Sequence, residues 1–272
     1  MILGLSSFTF GWSIGADGQK PVEPMTEVDL IQHTLDARLS CLQLGDNLAI
    51  HTFSPDRLEA LRSALKKKSI RFEIGARKLT VEHLQRYLDL SVFFNSPLLR
   101  FVIDGDDYEP DSNTIVSIIK EFLPQLEKQN IILGIENHDR FKAKELASIM
   151  DRIDNKHVGI CLDCVNSMGA GEGLEHVVNA LAPYTVNLHI KDFKVERLSH
   201  KMGFMITGTP TGQGMTDVHF LMKELSRYNR CQSAIVEQWV PFDGNIETTA
   251  QTEKQWAKES IQYLKSLTYF KD

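Results

Sequence analysis

Cysteine is scarce in this sequence, and positive charge is not in excess. The 272 residues include only four cysteines, which are scattered along the chain. That number does not suit the disulfide scaffold of a small secreted domain, so we expect a reducing compartment. The formal net charge is −6 at pH 7, which gives no electrostatic reason to expect nucleic acid as a partner.

Long apolar runs are also absent. No window of the sequence approaches the roughly 18 apolar residues of a membrane-spanning helix. The first residues, Met-Ile-Leu-Gly-Leu-Ser-Ser, lack the basic region and the long apolar run of a secretory signal. We therefore expect a cytoplasmic protein with no signal peptide and no membrane partner.

What the sequence does contain is a regular alternation of short apolar runs and segments with helical periodicity. Such runs suit parallel strands that are covered on both faces, and the length suits one (β/α)8 barrel of roughly 250 residues. Eight regular units, without a glycine-rich phosphate turn after the first strand, favour that barrel over an open doubly wound sheet. We predict a single-domain (β/α)8 TIM barrel over residues 1–272, with strands at 2–5, 41–44, 70–74, 98–103, 131–135, 158–162, 185–190 and 233–236.

The last four predicted strands each end on a side chain that can bind a metal ion, namely Glu136, Asp163, His189 and Glu237. Because a (β/α)8 barrel gathers the carboxyl ends of its strands around one mouth, we expect the four to converge. A single carboxylate at a strand end is commonly a helix cap or an ion-pair partner. Two Glu, one Asp and one His together indicate a site for a hard metal ion. Such a set favours Mn²⁺, Mg²⁺ or Co²⁺ over a structural zinc ion with all its coordination positions filled by protein.

Two of these residues, Glu136 and Glu237, are our candidates for general base and general acid. Four protein ligands leave about two coordination positions, which suits two neighbouring oxygens of one substrate. Chelation of a carbonyl and the adjacent hydroxyl would acidify the C–H between them and stabilise an enediolate. The pattern thus favours proton transfer on a metal-bound sugar.

Four segments carry a resemblance to a known family: Gly134-Ile135-Glu136-Asn137-His138, Cys161-Leu162-Asp163, Leu188-His189-Ile190-Lys191-Asp192 and Val236-Glu237-Gln238-Trp239. Residues 131–240 resemble the xylose isomerase-like barrel superfamily, which includes sugar isomerases, 3-epimerases, dehydratases, lyases and endonuclease IV. The resemblance implies that Glu136, Asp163, His189 and Glu237 bind one divalent cation, often Mn²⁺, with Mg²⁺, Co²⁺ or Zn²⁺ as alternatives. It also implies that the two glutamates flank the substrate.

Two positions depart from the tagatose-type 3-epimerases of that superfamily. Those enzymes have His three residues after the metal Asp, where this chain has Asn166. They have Arg six residues after the metal His, where this chain has Val195. Because both family residues contact substrate hydroxyls, a free-ketose epimerase is disfavoured, and Asn166 becomes a candidate substrate contact of a different kind.

Cationic side chains are predicted near the mouth instead. Lys191, Arg197 and His200 follow the seventh strand, and Arg77 follows the third. They would suit a substrate with a carboxylate or phosphate group, although Arg77 and Arg197 could equally be solvated loop charges. Arg100 is left out, because its early position in the fourth strand points to the bottom of the barrel.

Residues 194–213 form the longest segment without predicted regular structure, and we interpret it as a lid or substrate-contacting loop rather than a surface insertion. Trp239 is a candidate apolar wall against the sugar, with core packing as the alternative. His138 is a candidate substrate contact or support for Glu136. Cys161 and Cys164 are interpreted as core thiols rather than as a zinc-binding pair.

The leading functional hypothesis is a metal-dependent isomerase or epimerase acting on a ketose, sugar phosphate or sugar acid. The second is a decarboxylase, another lyase or a dehydratase acting on an oxo-sugar acid. It rests on a resemblance to the branch generically called sugar phosphate isomerase/epimerase, or AP endonuclease 2-like, which includes 3-oxo-isoapionate decarboxylases. An endonuclease IV-type nuclease, which needs further histidine ligands, and a non-catalytic metal-binding protein are the remaining alternatives. The expected partners are a small carbohydrate or sugar acid and further copies of the chain, in a homodimer or homotetramer.

Overall fold

Ten β-strands are present in the computed structural model, which describes residues 1–270. Eight of them are parallel and close into a barrel; the other two form a separate antiparallel pair. The strands are β1 (Ile2–Ser6), β2 (Cys41–Leu44), β3 (Arg71–Arg77), β4 (Leu98–Val102), β5 (Ile132–Glu136), β6 (Val158–Asp163), β7 (Thr185–Ile190), β8 (Asp192–Arg197), β9 (Phe204–Thr209) and β10 (Ser233–Val236). Around the barrel, β1 to β7 follow in chain order, and β10 lies between β7 and β1. The predicted (β/α)8 fold is therefore confirmed.

Helices cover the outside of this barrel. They are α1 (Gly11–Ile14), α2 (Glu27–Asp36), α3 (Pro55–Lys68), α4 (Val81–Phe94), α5 (Ser112–Gln129), α6 (Ala143–Ile153), α7 (Leu174–Leu181), α8 (Val218–Ser226) and α9 (Ile246–Ser266). The last helix begins at Ile246, because the Asn245 side chain accepts hydrogen bonds from the backbone N–H groups of Glu247 and Thr248 and caps it there. Within residues 1–270, no helix has the length and apolar character that crossing a membrane requires.

The segment after β7 differs from the prediction. Residues 194–213 were expected to be irregular, but most of them belong to a hairpin in which β8 pairs with β9 from Asp192↔Thr209 to Arg197↔Phe204. The first five residues of β8, Asp-Phe-Lys-Val-Glu, alternate charged and apolar residues, which is a strand-like pattern, and the last four residues of β8 are exposed on both faces. The strict alternation of strands and helices is therefore interrupted once, next to the barrel mouth.

A column of polar side chains fills the lower part of the barrel. Glu73 on β3 is fully buried and accepts hydrogen bonds from Ser233 (2.7 Å), Arg71 (2.8 Å) and the Gln43 side-chain amide (3.1 Å). Gln43 Nε2 also donates to Asn187 Oδ1 at 3.2 Å. Because a buried polar group without a partner is costly, these bonds fix the orientation of each side chain in the column.

Two glycines in register on β5 and β6 provide a test of the packing around the barrel. A Cβ added at Gly159 would lie 2.5 Å from the carbonyl oxygen of Tyr184, whereas one added at Gly134 would meet nothing closer than 3.4 Å. We expect Gly159→Ala to lower the free energy of unfolding by about 1–3 kcal/mol through overpacking. Gly134→Ala is the matched control and should change it by less than about 1 kcal/mol. Chemical denaturation measures both, and equal effects of the two variants would contradict this packing.

Candidate metal centre and active site

The four predicted metal-ligating side chains converge at the carboxyl end of the barrel. Glu136 and Asp163 are the last residues of β5 and β6, His189 lies one residue before the end of β7, and Glu237 directly follows β10. All four are buried, with at most 2% of their surface exposed. His189 Nδ1 lies 3.4 Å from Glu136 Oε2, 3.4 Å from Glu237 Oε1 and 4.0 Å from Asp163 Oδ2. The strand-end pattern therefore corresponds to one compact cluster.

The orientation of the His189 ring follows from the polar column below it. Gln43 uses its amide N–H groups as donors to Glu73 and Asn187, so its oxygen is left to accept a hydrogen bond. His189 Nε2 lies 2.7 Å from that oxygen and must donate to it. The Nδ1 atom then faces the three carboxylates.

A positive charge is needed between Nδ1 of His189 and the surrounding carboxylate oxygens. Burial alone would lower the pKa of His189, but the facing carboxylates of Glu237 and Glu136 outweigh it and raise that pKa. His189 Nδ1 is buried without a hydrogen-bond partner, and the contact of the buried Asp163 Oδ2 is the ion pair with the Lys191 ammonium, 2.7 Å away. A histidine nitrogen and three carboxylate oxygens directed at one point are the donor set of a divalent hard-metal site.

The chain's residues therefore fit the divalent cation that the sequence predicted. Two groups of potential ligands lie within residues 1–270, Glu136 with Cys161 and His189, and Asp163 with His189 and Glu237. Both groups include His189, so they belong to one centre. Asp163, His189, Glu237 and Glu136 would hold the ion there.

Arg100 supports Glu136 from within the barrel. Its Nε donates to Glu136 Oε2, and its Nη1 donates to Asp46 at 2.9 Å. Burial would raise the pKa of Glu136, yet the charge of Arg100, followed by that of His189, lowers it. Glu136 is therefore held ionised, as a ligand or a base must be.

Arg100 was expected at the bottom of the barrel, and that expectation was wrong. Arg100 is the third residue of β4, and its register partner on β3 is Gly75. A Cβ added at Gly75 would lie 3.2 Å from Arg100 Cδ, so the lack of a side chain there leaves room for the Arg100 side chain to extend toward Glu136. This glycine was the available signal.

Asp163 is positioned by backbone donors and by a neighbouring amide. Its Oδ1 accepts from the N–H groups of Val165 and Asn166, both at 2.8 Å, which leaves Oδ2 for other contacts. The Asn137 side chain holds the Asp163 backbone on both sides, accepting from its N–H (2.7 Å) and donating to its carbonyl (2.9 Å). Such outer contacts restrict the ligand to one orientation.

Lys191 lies against the carboxylates at the mouth. Its Nζ is 2.7 Å from Asp163 Oδ2, 3.1 Å from Glu237 Oε2 and 3.2 Å from Asn166 Oδ1. Burial would lower the pKa of Lys191, but Asp163 and Glu237 raise it far above its usual range, so the amine stays protonated. Burial likewise favours the neutral form of Glu237, yet His189 and Lys191 bring its pKa well below the ordinary value.

The other predicted substrate contacts lie at different distances from this cluster. Asn166 is part of it, since its side-chain N–H donates to Glu136 Oε1 at 3.0 Å. Trp239 borders it, with Lys191 Nζ 5.7 Å from the ring centroid. Arg77 and His138 lie side by side, with Nη2 of Arg77 3.5 Å from Nε2 of His138, and Arg77 also pairs with Asp46 at 3.3 Å. Their contact with substrate stays a prediction.

Arg197 and His200 lie at the outer end of the β8–β9 hairpin. Arg197 donates to the carbonyl of Lys201 at 2.9 Å and stacks over Phe204, and His200 Nδ1 accepts from the backbone N–H of Met202. These contacts stay within the hairpin, and the predicted role of both residues in substrate binding stays a prediction.

The two cysteines of the Cys-x-x-Cys segment are both buried. Burial raises the pKa of the Cys161 thiol well above its ordinary value, and the Glu136 carboxylate adds to the effect. Burial and the nearby Asp163 raise the pKa of Cys164 in the same way. Both stay thiols, in keeping with their interpretation as core residues.

Comparison with known proteins agrees with this architecture. A family model described as xylose isomerase-like TIM barrel matches residues 39–267. The 3-oxo-isoapionate decarboxylase of Pectobacterium atrosepticum is 31% identical over 264 residues, which cover 97% of this chain and 95% of that protein.

Solved structures with the same fold are more distant in sequence. A xylose isomerase-like TIM barrel protein from Mycobacterium smegmatis in complex with magnesium has a TM-score of 0.70 and 12% identity, covering 97% of each chain. A D-psicose 3-epimerase in the presence of D-fructose has a TM-score of 0.71 and 13% identity, covering 98% of each chain. At this identity the likeness shows the fold alone.

The metal site can be tested by removing one ligand. We expect Asp163→Asn to weaken Mn²⁺ binding by more than about 100-fold, because changes of outer contacts alone cost roughly 10–100-fold. Calorimetric titration measures the affinity, and the Mn²⁺-induced rise in melting temperature should shrink in parallel. The matched control is Glu253→Gln, since Glu253 is also a buried carboxylate but binds Trp12 and Ser13 away from the cluster. Unchanged Mn²⁺ affinity in Asp163→Asn would remove Asp163 from the ligand set.

Proposed function

Because the chain belongs to the xylose isomerase-like TIM barrel family, we propose that it is a divalent-metal-dependent decarboxylase of a 3-oxo sugar acid. The observation that carries this proposal is the ammonium group of Lys191, buried beside Asp163 and Glu237 at the mouth of the barrel. The 31% identity to a 3-oxo-isoapionate decarboxylase over nearly the whole chain supports the same reaction.

The charge balance of the centre favours an anionic substrate. The three carboxylates of Glu136, Asp163 and Glu237 face two buried cations, Lys191 and Arg100. Arg100 also pairs with Asp46, whose charge is balanced in turn by Arg77. With a divalent cation added, this group would carry one net positive charge in a site from which water is largely excluded. A substrate carboxylate would neutralise that charge, whereas a neutral sugar would leave it uncompensated.

The residues around the centre have separate roles in this reaction. When bound, a divalent cation supplies a Lewis acid that draws electron density into the carbonyl group of the substrate. The bond between the carboxylate carbon and its neighbour breaks, and the bonding electrons move toward that carbonyl as CO₂ leaves. The carbon left behind needs one proton, which the protonated amine of Lys191 would give up to it and then regain from water.

Asn166 and Trp239 would shape the substrate pocket. Asn166 connects Glu136 to Lys191 and can bind a substrate hydroxyl through the same amide. Trp239 provides an apolar surface next to the ammonium. The neutral amide at 166 supplies no acid or base there, which fits a reaction that begins with loss of CO₂ rather than with removal of a proton.

The second candidate is a sugar isomerase or epimerase. It is favoured by the low pKa values of Glu136 and Glu237, which leave two ionised carboxylates on opposite sides of the same site. One carboxylate could then remove a proton and return it after rearrangement. A dehydratase would use the same groups.

A substrate panel separates these reactions. Purified protein loaded with Mn²⁺ is mixed with 3-oxo sugar acids and with neutral ketoses, and CO₂ release and exchange of the carbon-bound proton with D₂O are followed together. We expect CO₂ release from an oxo-sugar acid and no proton exchange on neutral ketoses. Exchange or epimerisation of a neutral ketose without CO₂ release would overturn the decarboxylase in favour of the second candidate.

The two glutamates give a further test of the active centre. We expect Glu136→Gln and Glu237→Gln each to lower kcat by at least about 100-fold, the lower range for loss of a positioned acid–base group or ligand, while circular dichroism stays unchanged. Chelation of the metal should abolish turnover and metal replacement should restore it. The partly exposed residue Glu259, on α9, provides the control Glu259→Gln, which should retain full activity. Turnover that survives either glutamate change or complete chelation would contradict a metal-dependent enzyme at this centre.

A further inference from the structure

Cys161 lies on the floor of the metal centre and has no role in the reaction proposed above. It is the fourth residue of β6, and its thiol is fully buried. Because side chains two residues apart on a strand share a face, the thiol points into the barrel below Asp163. A strand rise of about 3.3 Å per residue places the Cα of Cys161 roughly 6–7 Å further from the mouth than the Cα of Asp163. On β5, its register partner is Glu136.

A thiol, a carboxylate and an imidazole face one another on this floor. Cys161 Sγ lies 3.9 Å from Glu136 Oε2, and that oxygen lies 3.4 Å from His189 Nδ1. The candidate ligand atoms of the three residues all lie within 4.8 Å of one another. In a tetrahedral zinc site with bonds of about 2.0–2.3 Å, neighbouring ligand atoms are roughly 3.3–3.6 Å apart. The three side chains therefore have nearly the spacing at which one ion contacts all of them.

The hydrogen bonds around this group leave a place for a cation. Within residues 1–270, the buried Nδ1 atom of His189 has no hydrogen-bond partner, so it is free to bind an ion. The Cys161 thiol donates to Asn187 Oδ1 at 3.0 Å, and the same oxygen accepts a second hydrogen bond from Gln43 Nε2 at 3.2 Å. If the thiol lost its hydrogen, Asn187 Oδ1 would still have a donor. The polar column therefore tolerates a thiolate at residue 161.

We propose that Cys161 is a further metal ligand of this centre, which binds thiophilic divalent ions such as Zn²⁺ and Cd²⁺ but not Mn²⁺ or Mg²⁺. Thiolate sulfur favours soft ions, whereas Mn²⁺ and Mg²⁺ prefer oxygen donors. When a thiophilic ion binds, the S–H bond of Cys161 breaks, a sulfur–metal bond forms and the proton leaves to water. With no such ion bound, Cys161 is the buried thiol described above.

This sulfur makes the centre respond differently to hard and soft ions. Asp163 and Glu237, next to Lys191 at the mouth, are the ligands suited to a hard ion. A thiophilic ion gains a donor on the floor and is drawn away from the side where substrate enters. The two binding modes share His189, so they exclude each other. The inference rests on the metal dependence of the proposed function, and on no choice among its candidate reactions.

Cadmium spectroscopy tests the sulfur ligand directly. The full chain, freed of metal by chelation, is titrated with Cd²⁺, and the ultraviolet charge-transfer band of a cadmium–thiolate bond is recorded. We expect the band in the wild type and its loss in Cys161→Ser, which keeps a hydroxyl donor for Asn187. The matched control is Cys164→Ser, which should keep the band, because the buried Cys164 sulfur bonds to the backbone of Lys191 instead. A wild type without the band, or a band that survives Cys161→Ser, would overturn the proposal.

Calorimetric titration with two ions tests the selectivity. Cys161→Ser should weaken Zn²⁺ binding by at least about 10-fold, the lower limit for changes in the surroundings of a bound metal. The same variant should leave the Mn²⁺ affinity unchanged, because Mn²⁺ does not use the sulfur. Asp163→Asn should show the opposite preference and weaken Mn²⁺ binding more than Zn²⁺ binding. Equal weakening of both ions in Cys161→Ser would make Cys161 a support of Glu136 rather than a ligand, and would refute the proposal.

Competition between ions shows whether the sulfur belongs to the same centre. Mn²⁺ should raise the Cd²⁺ concentration needed to form the band, because both binding modes use His189. A band that is insensitive to Mn²⁺ would place the thiolate at another site and overturn the proposal. Mn²⁺ binding without a Cd²⁺ band in the wild type would refute this inference alone. A Cd²⁺ band without Mn²⁺ binding would support the sulfur ligand and contradict the Mn²⁺-dependent function proposed above.

Discussion

The hydrogen bond from His189 Nε2 to Gln43 Oε1 is the constraint on which the candidate site depends. His189 is the donor and Gln43 the acceptor, because the amide hydrogens of Gln43 are already used in hydrogen bonds to Glu73 and Asn187, deeper in the barrel. The bond leaves His189 Nδ1 facing three carboxylates, so a cation or a proton is required between them. A polar network at the bottom of the barrel thus determines that Nε2 of His189 carries a hydrogen and that Nδ1 faces the carboxylates at the mouth.

The second constraint is the cost of burying three carboxylates together. The positive charge of Arg100 offsets this cost for Glu136, and the positive charge of Lys191 offsets it for Asp163 and Glu237. Removing one member of such a group leaves an unpaired buried charge, which is much less favourable than the loss of an exposed pair. The same cations that stabilise the cluster would also favour the acidic substrate that we propose, so stability and specificity would have one physical origin.

The sequence could predict the parts that follow from local pattern. Apolar runs identified the eight barrel strands, and the residues at their ends identified Glu136, Asp163, His189 and Glu237, because parallel strands in a barrel all end at the same mouth. Arg100 could not be placed in this way, since its side chain extends along the barrel interior from the middle of its strand. The hairpin was missed because its first strand begins directly after β7, and the alternation in β8 was read as loop.

The fold determines the positions of the candidate metal ligands more firmly than it determines the reaction. The candidate ligands lie at strand ends, which meet at one mouth in any (β/α)8 barrel, whereas the reaction depends on the few side chains that surround them. In this chain those include an amide at Asn166 and an ammonium at Lys191. Neither is an added base or a free guanidinium. These two groups are the basis on which we propose a reaction that holds an anion and supplies a proton, rather than one that moves a proton between two carbons of a neutral sugar.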